Sequence, residues 1–234
     1  MTFKSQTRPI ALALEMSQRT GSIAVCSRSG ETIVHVAASG KRDDDEVMPA
    51  IALAVEELEL RPSDVELIVV SIGPGGFTGL RTSTAIAKMV SFATGAKIVA
   101  VQSAIAVAAS SNCGDGPFLI VSSVKEEGFW LSRVKYNKGD WVCESGISSS
   151  DELDEQARGV VAVFADEYLP NGARRYFVQH NIPIKEIVLD AGALLGVGLR
   201  LHDKGEYVGA LDLLPLYPRE PEAVRKWNTE RQKR

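Results

Sequence analysis

Residues 71–81 read SIGPGGFTGLR, and this glycine-rich segment constrains the fold more than any other part of the chain. It follows an apolar run at 65–70 and precedes a segment, 80–92, that contains neither Gly nor Pro. The pattern predicts a strand, a tight turn and a helix, with Thr78 as the helix N-cap. That order presents backbone N–H groups to an anion. The segment is neither a Walker loop, which ends in Gly-Lys-Ser/Thr, nor the dinucleotide fingerprint, which needs glycine at position 78.

The order of apolar runs and helical stretches predicts an α/β fold with an internal repeat. In the first half we predict helices at 44–58, 80–92 and from 103 onward, and strands at 10–14, 22–26, 32–37, 65–72 and 97–101. From residue 114 a similar order begins again, with helices at 149–157 and 192–201 and strands at 118–122, 129–134, 141–143 and 160–165. A repeated βββαβα unit is the architecture of the RNase H-like subdomains of the actin, sugar-kinase and Hsp70 group. We therefore predict two tandem subdomains, residues 1–112 and 113–234, the second smaller and degenerate.

Composition argues against several functional classes. The 234 residues carry a net charge of −4, which disfavours a general nucleic-acid-binding surface, although the stretch 225–234 is basic. We interpret that stretch as a solvated tail. Cys26, Cys113 and Cys143 are far apart and lack metal-ligand spacing, so we expect reduced thiols in a cytoplasmic protein. No apolar run reaches the length of a membrane span, and we expect no membrane partner.

Metal and nucleophile chemistry have no local motif. The three histidines, His35, His180 and His202, lie in separate regions and form neither His-x-x-x-His nor His-Glu-x-x-His. The serines and threonines after the glycine-rich segment have no nucleophile elbow and no nearby histidine. We therefore predict no catalytic residue and no metal site.

Two charged residues beside turns are the candidates for a binding site. Glu15 ends the first predicted strand, where a carboxylate either positions a ligand or caps the hairpin, and we assign it no catalytic role. Arg81 follows Gly75 and Gly76 and would lie in the first helical turn, a favourable place for a phosphate or carboxylate. The alternative for Arg81 is a structural salt bridge to Glu15 or Asp64.

The glycine-rich segment resembles the signature of the TsaB family, Gly-Pro-Gly-Ser-Phe-Thr-Gly-Leu/Val-Arg, with Gly76 in place of the serine. Residues 11–25 are similar to the opening hairpin of that family, and residues 43–58 to its first long helix. Residues 123–130 resemble a degraded form of its Asp-Ala-Arg-Arg segment. Residues 215–223, PLYPREPEA, resemble its closing Pro-Leu-Tyr-x-Arg motif.

The resemblance implies a role in tRNA modification. TsaB proteins are dimerisation subunits of the bacterial machinery for threonylcarbamoyladenosine (t6A), in which TsaC makes threonylcarbamoyl-adenylate and TsaD transfers the group to N6 of adenosine 37. The resemblance implies a non-catalytic scaffold that pairs with TsaD, joins the ATPase TsaE, forms a homodimer when alone and contacts tRNA only indirectly. It implies no required cofactor, but ATP or ADP at the subunit junction would receive weak contacts from Gly75, Gly76 and Arg81.

The resemblance also implies where the partner binds. The helices predicted at 44–58 and 80–92 would pair with TsaD or with a second copy, through Val47, Met48, Ile51, Val55, Thr82, Ala85 and Ala87. The alternative is that these helices only cover the sheet, although one helix can do both because it has more than one face. TsaD carries a His-x-x-x-His motif in the region where this chain has an acidic run, 43–46, which favours a non-catalytic role.

Two other functions stay open at this point. The fold could carry an independent small ATPase or kinase of the actin-like group, but 121–125 lacks the acid and glycines of a second phosphate-binding hairpin. The other alternative is a surface-binding protein with no link to tRNA. The chain departs from the TsaB pattern at Glu15, Gly76 and Ser123, where the family carries Asp, Ser and Asp. A scaffold role tolerates these departures better than catalysis does.

Overall fold

A computed structural model describes residues 8–18, 20–38, 46–111, 114–123, 129–148 and 152–217. The first half of the chain contains β1 Ala11–Glu15, β2 Thr20–Cys26, β3 Thr32–Ala38, α1 Val47–Glu57, β4 Leu67–Gly73, α2 Phe77–Thr94, β5 Lys97–Gln102 and α3 Ser103–Ser110. The second half contains β6 Phe118–Ser123, β7 Phe129–Asn137, β8 Asp140–Ser148, α4 Leu153–Gln156, β9 Ala162–Ala165, α5 Asn171–Gln179, β10 Ile184–Glu186 and α6 Ala191–Asp203.

The two halves form two sheets of five strands with the same topology. The first sheet has the order β3-β2-β1-β4-β5, and the second has the order β10-β9-β6-β7-β8. In each, the first strand pairs antiparallel with the second strand and parallel with the fourth, so β1 and β6 occupy equivalent central positions. This is the arrangement of the actin-like fold, and the predicted fold class is confirmed.

The helices and sheets stack in layers. On the outer face of the first sheet, α1 and α2 cover a core that includes Leu12, Leu14, Ile68 and Val70. On its inner face lie α3 and α6, and α3 also packs against the second sheet through Ala104, Val107 and Ala108. The outer face of the second sheet is covered by α4 and α5. A shared helical layer therefore separates the two sheets.

Two segments of the second half of the chain return to the first sheet. Helix α6 packs so closely that a Cβ on Gly198 would lie 2.3 Å from both γ-carbons of Val69. Farther on, Val208 forms an antiparallel bridge with Ile98 at the sheet edge. The strands follow the predicted division at 112/113, whereas α6 and residues 208–217 pack on the first half. The division itself stays a prediction.

Some sequence predictions about elements were wrong or incomplete. Helix α2 begins at Phe77 with Gly76 as its N-cap, so Thr78 is not the cap, and no side chain replaces it. Helix α5 and strand β10 were not predicted. Helix α1 begins at Val47, and residues 43–45 of the acidic run lie outside the described residues. So do most of 123–130 and the basic stretch 225–234.

Candidate functional site

A cleft of 920 Å³ opens between the two sheets. The first half of the chain lines it with the turn after β1 and the glycine-rich turn after β4. The second half contributes the end of β6, the turn after β9 and residues 186–190. Ligands of open α/β sheets bind at the carboxyl ends of parallel strands, so this cleft is the candidate ligand site.

The glycine-rich turn packs directly on the turn formed by Met16 and Ser17. A Cβ on Gly75 would lie 2.3 Å from the Ser17 carbonyl oxygen. A Cβ on Gly79 would lie 2.1 Å from the Met16 carbonyl oxygen. The Gly76 N–H donates a hydrogen bond to the Ser17 carbonyl at 2.7 Å. The glycines thus allow two backbone segments to meet, and the N–H group of Gly76 is already used within the chain.

Gly76 and Gly73 differ from these two positions. A Cβ on Gly76 would come no closer than 3.7 Å to the Ser17 carbonyl oxygen, so the serine that TsaB proteins carry there would fit. Gly73 has a φ of +97°, in the region that favours glycine, and a Cβ there would lie 2.7 Å from Leu80. Conformation requires glycine at Gly73, whereas neither conformation nor space requires it at Gly76.

Glu15 is fully buried at the end of β1. Its Oε1 accepts hydrogen bonds from the Ser17 N–H, at 2.7 Å, and from the Ser17 hydroxyl, whereas Oε2 has no partner. Burial raises the pKa of Glu15, and the hydrogen bonds from Ser17 oppose that shift. The Ser71 hydroxyl opposes it more weakly and is itself bonded to Ser103 Oγ at 2.7 Å. This geometry is that of a buried acid that holds the hairpin turn, and Glu15 does not line the cleft.

The cleft is acidic. Its lining includes Asp166, Glu167, Glu186 and Asp190, and the lining residues that the structure describes include no lysine or arginine. Asp190 is also the N-cap of α6, where its Oδ1 accepts from the Ala193 N–H at 2.8 Å. Several carboxylates in one concave surface repel an anion. The described surface therefore disfavours a nucleoside triphosphate, which is polyanionic.

Arg81 lies on the exposed side of α2, outside the cleft lining. Its guanidinium carbon is 3.6 Å from the centroid of the Phe77 ring, and its Nε donates to Tyr217 Oη at 3.1 Å. The alternative interpretation of Arg81, a structural salt bridge to an acid such as Glu15 or Asp64, is not seen with either of these two, because Asp64 pairs with Arg61 at 3.0 Å and Glu15 is buried beneath the hairpin turn.

The side chains predicted to contact a partner differ in exposure. Met48 and Ala85 are exposed, Ile51 and Thr82 are half-buried, and three lie in the core beneath the helices: Val47, Val55 and Ala87. The same helices expose four large apolar side chains that sequence reasoning did not select: Leu53, Phe77, Met89 and Phe92. Sequence alone could not identify these positions as outward-facing, because the buried face of each helix was not known. The partner contact itself stays a prediction.

Sequence reasoning also missed the residues that hold the turn region together. Ser17 gave no signal, because a single serine after a strand is common. Tyr217 belongs to a segment noted only for its resemblance to a closing motif, and its ring packs on Phe77 with centroids 5.1 Å apart. The glycine-rich segment and the closing motif, which are far apart in sequence, therefore meet at the start of α2.

Each histidine has a polar neighbour nearby. His35 Nε2 lies 3.3 Å from Glu57 Oε2, His180 Nδ1 lies 2.9 Å from the Tyr176 carbonyl, and His202 Nδ1 lies 3.0 Å from Tyr207 Oη. Within the described ranges, no group of three His, Cys, Asp or Glu side chains could hold a metal ion. Within the same ranges, the helices are too short or too polar to cross a bilayer.

Comparisons with known proteins agree with this architecture. A family model described as TsaD, tRNA N6-adenosine threonylcarbamoyltransferase, matches residues 36–154. The chain is 26% identical to the tRNA threonylcarbamoyladenosine biosynthesis protein TsaB of Bacillus subtilis over 232 residues, which is 92% of this chain and 96% of that protein.

Two solved structures from Pseudomonas aeruginosa have the same fold. One, with similarity to peptidase YEAZ, has a TM-score of 0.73 at 20% identity and covers 90% of this chain and 100% of its own. The other, YeaZ, has a TM-score of 0.71 at 19% identity and covers 88% of this chain and 100% of its own.

The fold and the cleft define an α/β protein of the actin-like class, with two sheets around a shared helical layer. Within that class, the chain belongs to the TsaB family.

Proposed function

We propose that the chain is a non-catalytic scaffold subunit that binds TsaD through α1 and α2 and supports threonylcarbamoyl transfer to N6 of adenosine 37 in tRNA. The B. subtilis relative is named as a threonylcarbamoyladenosine biosynthesis protein, and the matching family model is that of the transferase. Both support a place in this modification.

The observation that carries the proposal is an exposed apolar surface on α1 and α2. We call it the α1–α2 face, and it consists of Met48, Leu53, Phe77, Ala85, Met89 and Phe92. Both helices cover the same side of the first sheet. On α2 the residues are spaced by eight, four and three positions, which keeps them on one side of the helix. Met89 is 71% exposed and Phe92 67%. Large exposed apolar side chains aligned along one side of a helix mark interaction surfaces.

The described cleft does not favour an independent ATPase. Its lining carries four carboxylates, and Glu15, at the end of β1, is buried rather than turned into the cleft. Nucleotide in this proposal is confined to a weak site at the junction with TsaD and TsaE. The tRNA is held by the partner, because the chain has a net charge of −4 and lacks the basic character that RNA backbones need. The complex is proposed to be cytoplasmic.

The test is complex formation with the TsaD of the same organism, measured by size exclusion with light scattering. We expect a one-to-one complex with the unmodified chain and its loss in the variants Met89→Glu and Phe92→Glu. The matched control is Val178→Glu on α5, where the side chain is 64% exposed and remote from the α1–α2 face. ATP turnover by the chain alone is measured in parallel with complex formation.

The outcomes separate the candidate functions. Loss of the complex in both α2 variants but not in Val178→Glu supports the scaffold proposal. No complex with the unmodified chain, together with ATP turnover by the chain alone, overturns it in favour of an ATPase or kinase. If the chain dimerises in the absence of TsaD, the same α2 variants are expected to make it monomeric.

A further inference from the structure

We propose that Arg81 is the charged anchor of the α1–α2 face and binds a carboxylate carried by the partner helix that docks there. The inference rests on the proposed scaffold function and adds the chemistry that the partner must present. It also gives Tyr217 a positioning role in recognition of the partner.

The guanidinium of Arg81 is held in place before any partner arrives. It stacks over the Phe77 ring at 3.6 Å, and its Nε donates to Tyr217 Oη at 3.1 Å. The Phe77 and Tyr217 rings also contact each other, with centroids 5.1 Å apart. An arginine fixed in this way loses less conformational freedom when it binds, because its planar donors are already oriented. The two Nη groups are left to bind a partner, since no described carboxylate lies within ion-pair distance of them.

The surroundings of Arg81 identify the partner chemistry. Along the same side of α2, the exposed neighbours Ala85, Met89 and Phe92 are apolar, and the other cation there, Lys88, is half-buried and about two turns away. An RNA backbone or a polyphosphate would require several clustered cations, and two separated cations do not provide them. One guanidinium at the end of an apolar helix face instead fits an apolar helix that carries an aspartate or glutamate, bound through two parallel hydrogen bonds. Arginine beside aromatic rings is a composition typical of interface hot spots.

The segment that carries Tyr217 positions this anchor. Residues 213–217 run back along the first sheet, where Leu213 is buried and the Leu216 N–H donates to the Ile72 carbonyl at 2.7 Å. Those two contacts fix the backbone that carries Tyr217. The closing segment therefore orients Arg81 from the side, without itself forming the apolar surface.

The experiment measures the dissociation constant of the complex with TsaD by calorimetry for four single variants. Arg81→Gln is expected to weaken binding about tenfold and Arg81→Glu about a hundredfold, because each leaves the partner's carboxylate unpaired. Tyr217→Phe keeps the ring but removes the hydrogen bond, and a loss of about threefold is expected. Arg175→Glu makes the same charge change on the exposed side of α5 and is expected to leave the affinity unchanged.

A second readout distinguishes an ion pair from a packing contact. The affinity of the unmodified complex should fall as salt is raised, and that dependence should be shallower in Arg81→Gln. Changing each acidic residue of the TsaD helix to lysine in turn should restore binding of Arg81→Glu at one position.

Failure of the Arg81 proposal and failure of the scaffold proposal give different results. If the unmodified complex forms and folded Arg81→Glu binds as tightly, the anchor is overturned while the scaffold proposal stands. If the unmodified chain does not bind TsaD at all, the scaffold proposal itself fails.

Discussion

The backbone of Gly79, in the first turn of α2, lies against the Met16 carbonyl so closely that a Cβ would come within 2.1 Å of that oxygen. The glycine of this signature is thus required by contact between two backbone segments of the same chain. Gly76, in the same turn, differs from it, since a Cβ there would meet no atom closer than 3.7 Å.

Gly79→Ala is expected to lower the free energy of unfolding by about 1–3 kcal/mol, since neither the helix nor the hairpin turn can retreat without breaking other contacts. The matched variant Gly76→Ser should change it by less than about 0.5 kcal/mol, because its nearest neighbour is 3.7 Å away. Urea denaturation measures both. Equal stability of the two variants would show that the turn and the hairpin do not pack as described.

Glu15→Gln should make stability less dependent on pH. Burial raises the pKa of Glu15 above its ordinary value of 4.5, so the folded state holds the proton more tightly than the unfolded chain. Its contribution to stability is fully present below the unfolded pKa and is lost as pH rises through the folded pKa. Glutamine keeps an acceptor for Ser17 but does not ionise. The variant should therefore gain stability relative to the unmodified chain as pH rises above about 4.5.

Denaturation of Glu15→Gln and the unmodified chain across a pH series measures this difference. Gln18→Glu, a carboxylate added at a partly exposed position of the same turn, serves as the control that should not reproduce it. A constant difference between Glu15→Gln and the unmodified chain at every pH would contradict a raised pKa.

Two glycines of α6 should respond in opposite directions to alanine. Gly198→Ala places a Cβ 2.3 Å from Val69 and is expected to destabilise the protein by about 1–3 kcal/mol. Gly196→Ala meets no atom within 4 Å and should stabilise it by about 0.5–1 kcal/mol through helix propensity. The pair is compared by urea denaturation with a single-transition fit. Stabilisation by both would mean that α6 does not pack closely on the first sheet.

The chain alone should not be stabilised by magnesium ATP. A ligand present at its dissociation constant raises the free energy of unfolding by about 0.4 kcal/mol. At about 5 mM nucleotide we expect less than that, because the described lining of the cleft is acidic. Thermal unfolding with ATP, compared with sodium sulfate of equal ionic strength, is the measurement. A larger shift with ATP than with sulfate would contradict the expectation.

Much of the fold could be predicted because burial leaves a strong pattern. The central strands β1 and β4 are buried on both faces and appear in the sequence as continuous apolar runs. Helix α5 was missed although Ala173 and Phe177 are four residues apart and both buried, because the segment is short and otherwise polar. Strand β10 has only three residues and no periodicity to detect.

The site was less predictable because its contacts are between distant segments. The glycines were expected to allow a close approach, but the sequence did not reveal that the approaching group is the Met16–Ser17 turn. The partner of Arg81 was sought among nearby acids, whereas Tyr217 lies 136 residues away and leaves no local signal. The charge of the cleft was also invisible, because its acidic residues come from separate turns of the second half.

Helix α6 leaves the second sheet after β10 and then buries Leu194, Leu195 and Val197 against the first. These side chains lie in the core of the first sheet, so rotating one sheet away from the other would leave them buried. Enzymes with a cleft between two lobes commonly exchange ligands by hinge opening. Here that motion would instead expose Val107, which α3 buries against the second sheet, at about 1.5–3 kcal/mol. Opening of the cleft would therefore carry α6 with the first sheet and leave the outer surface of α1 and α2 unchanged.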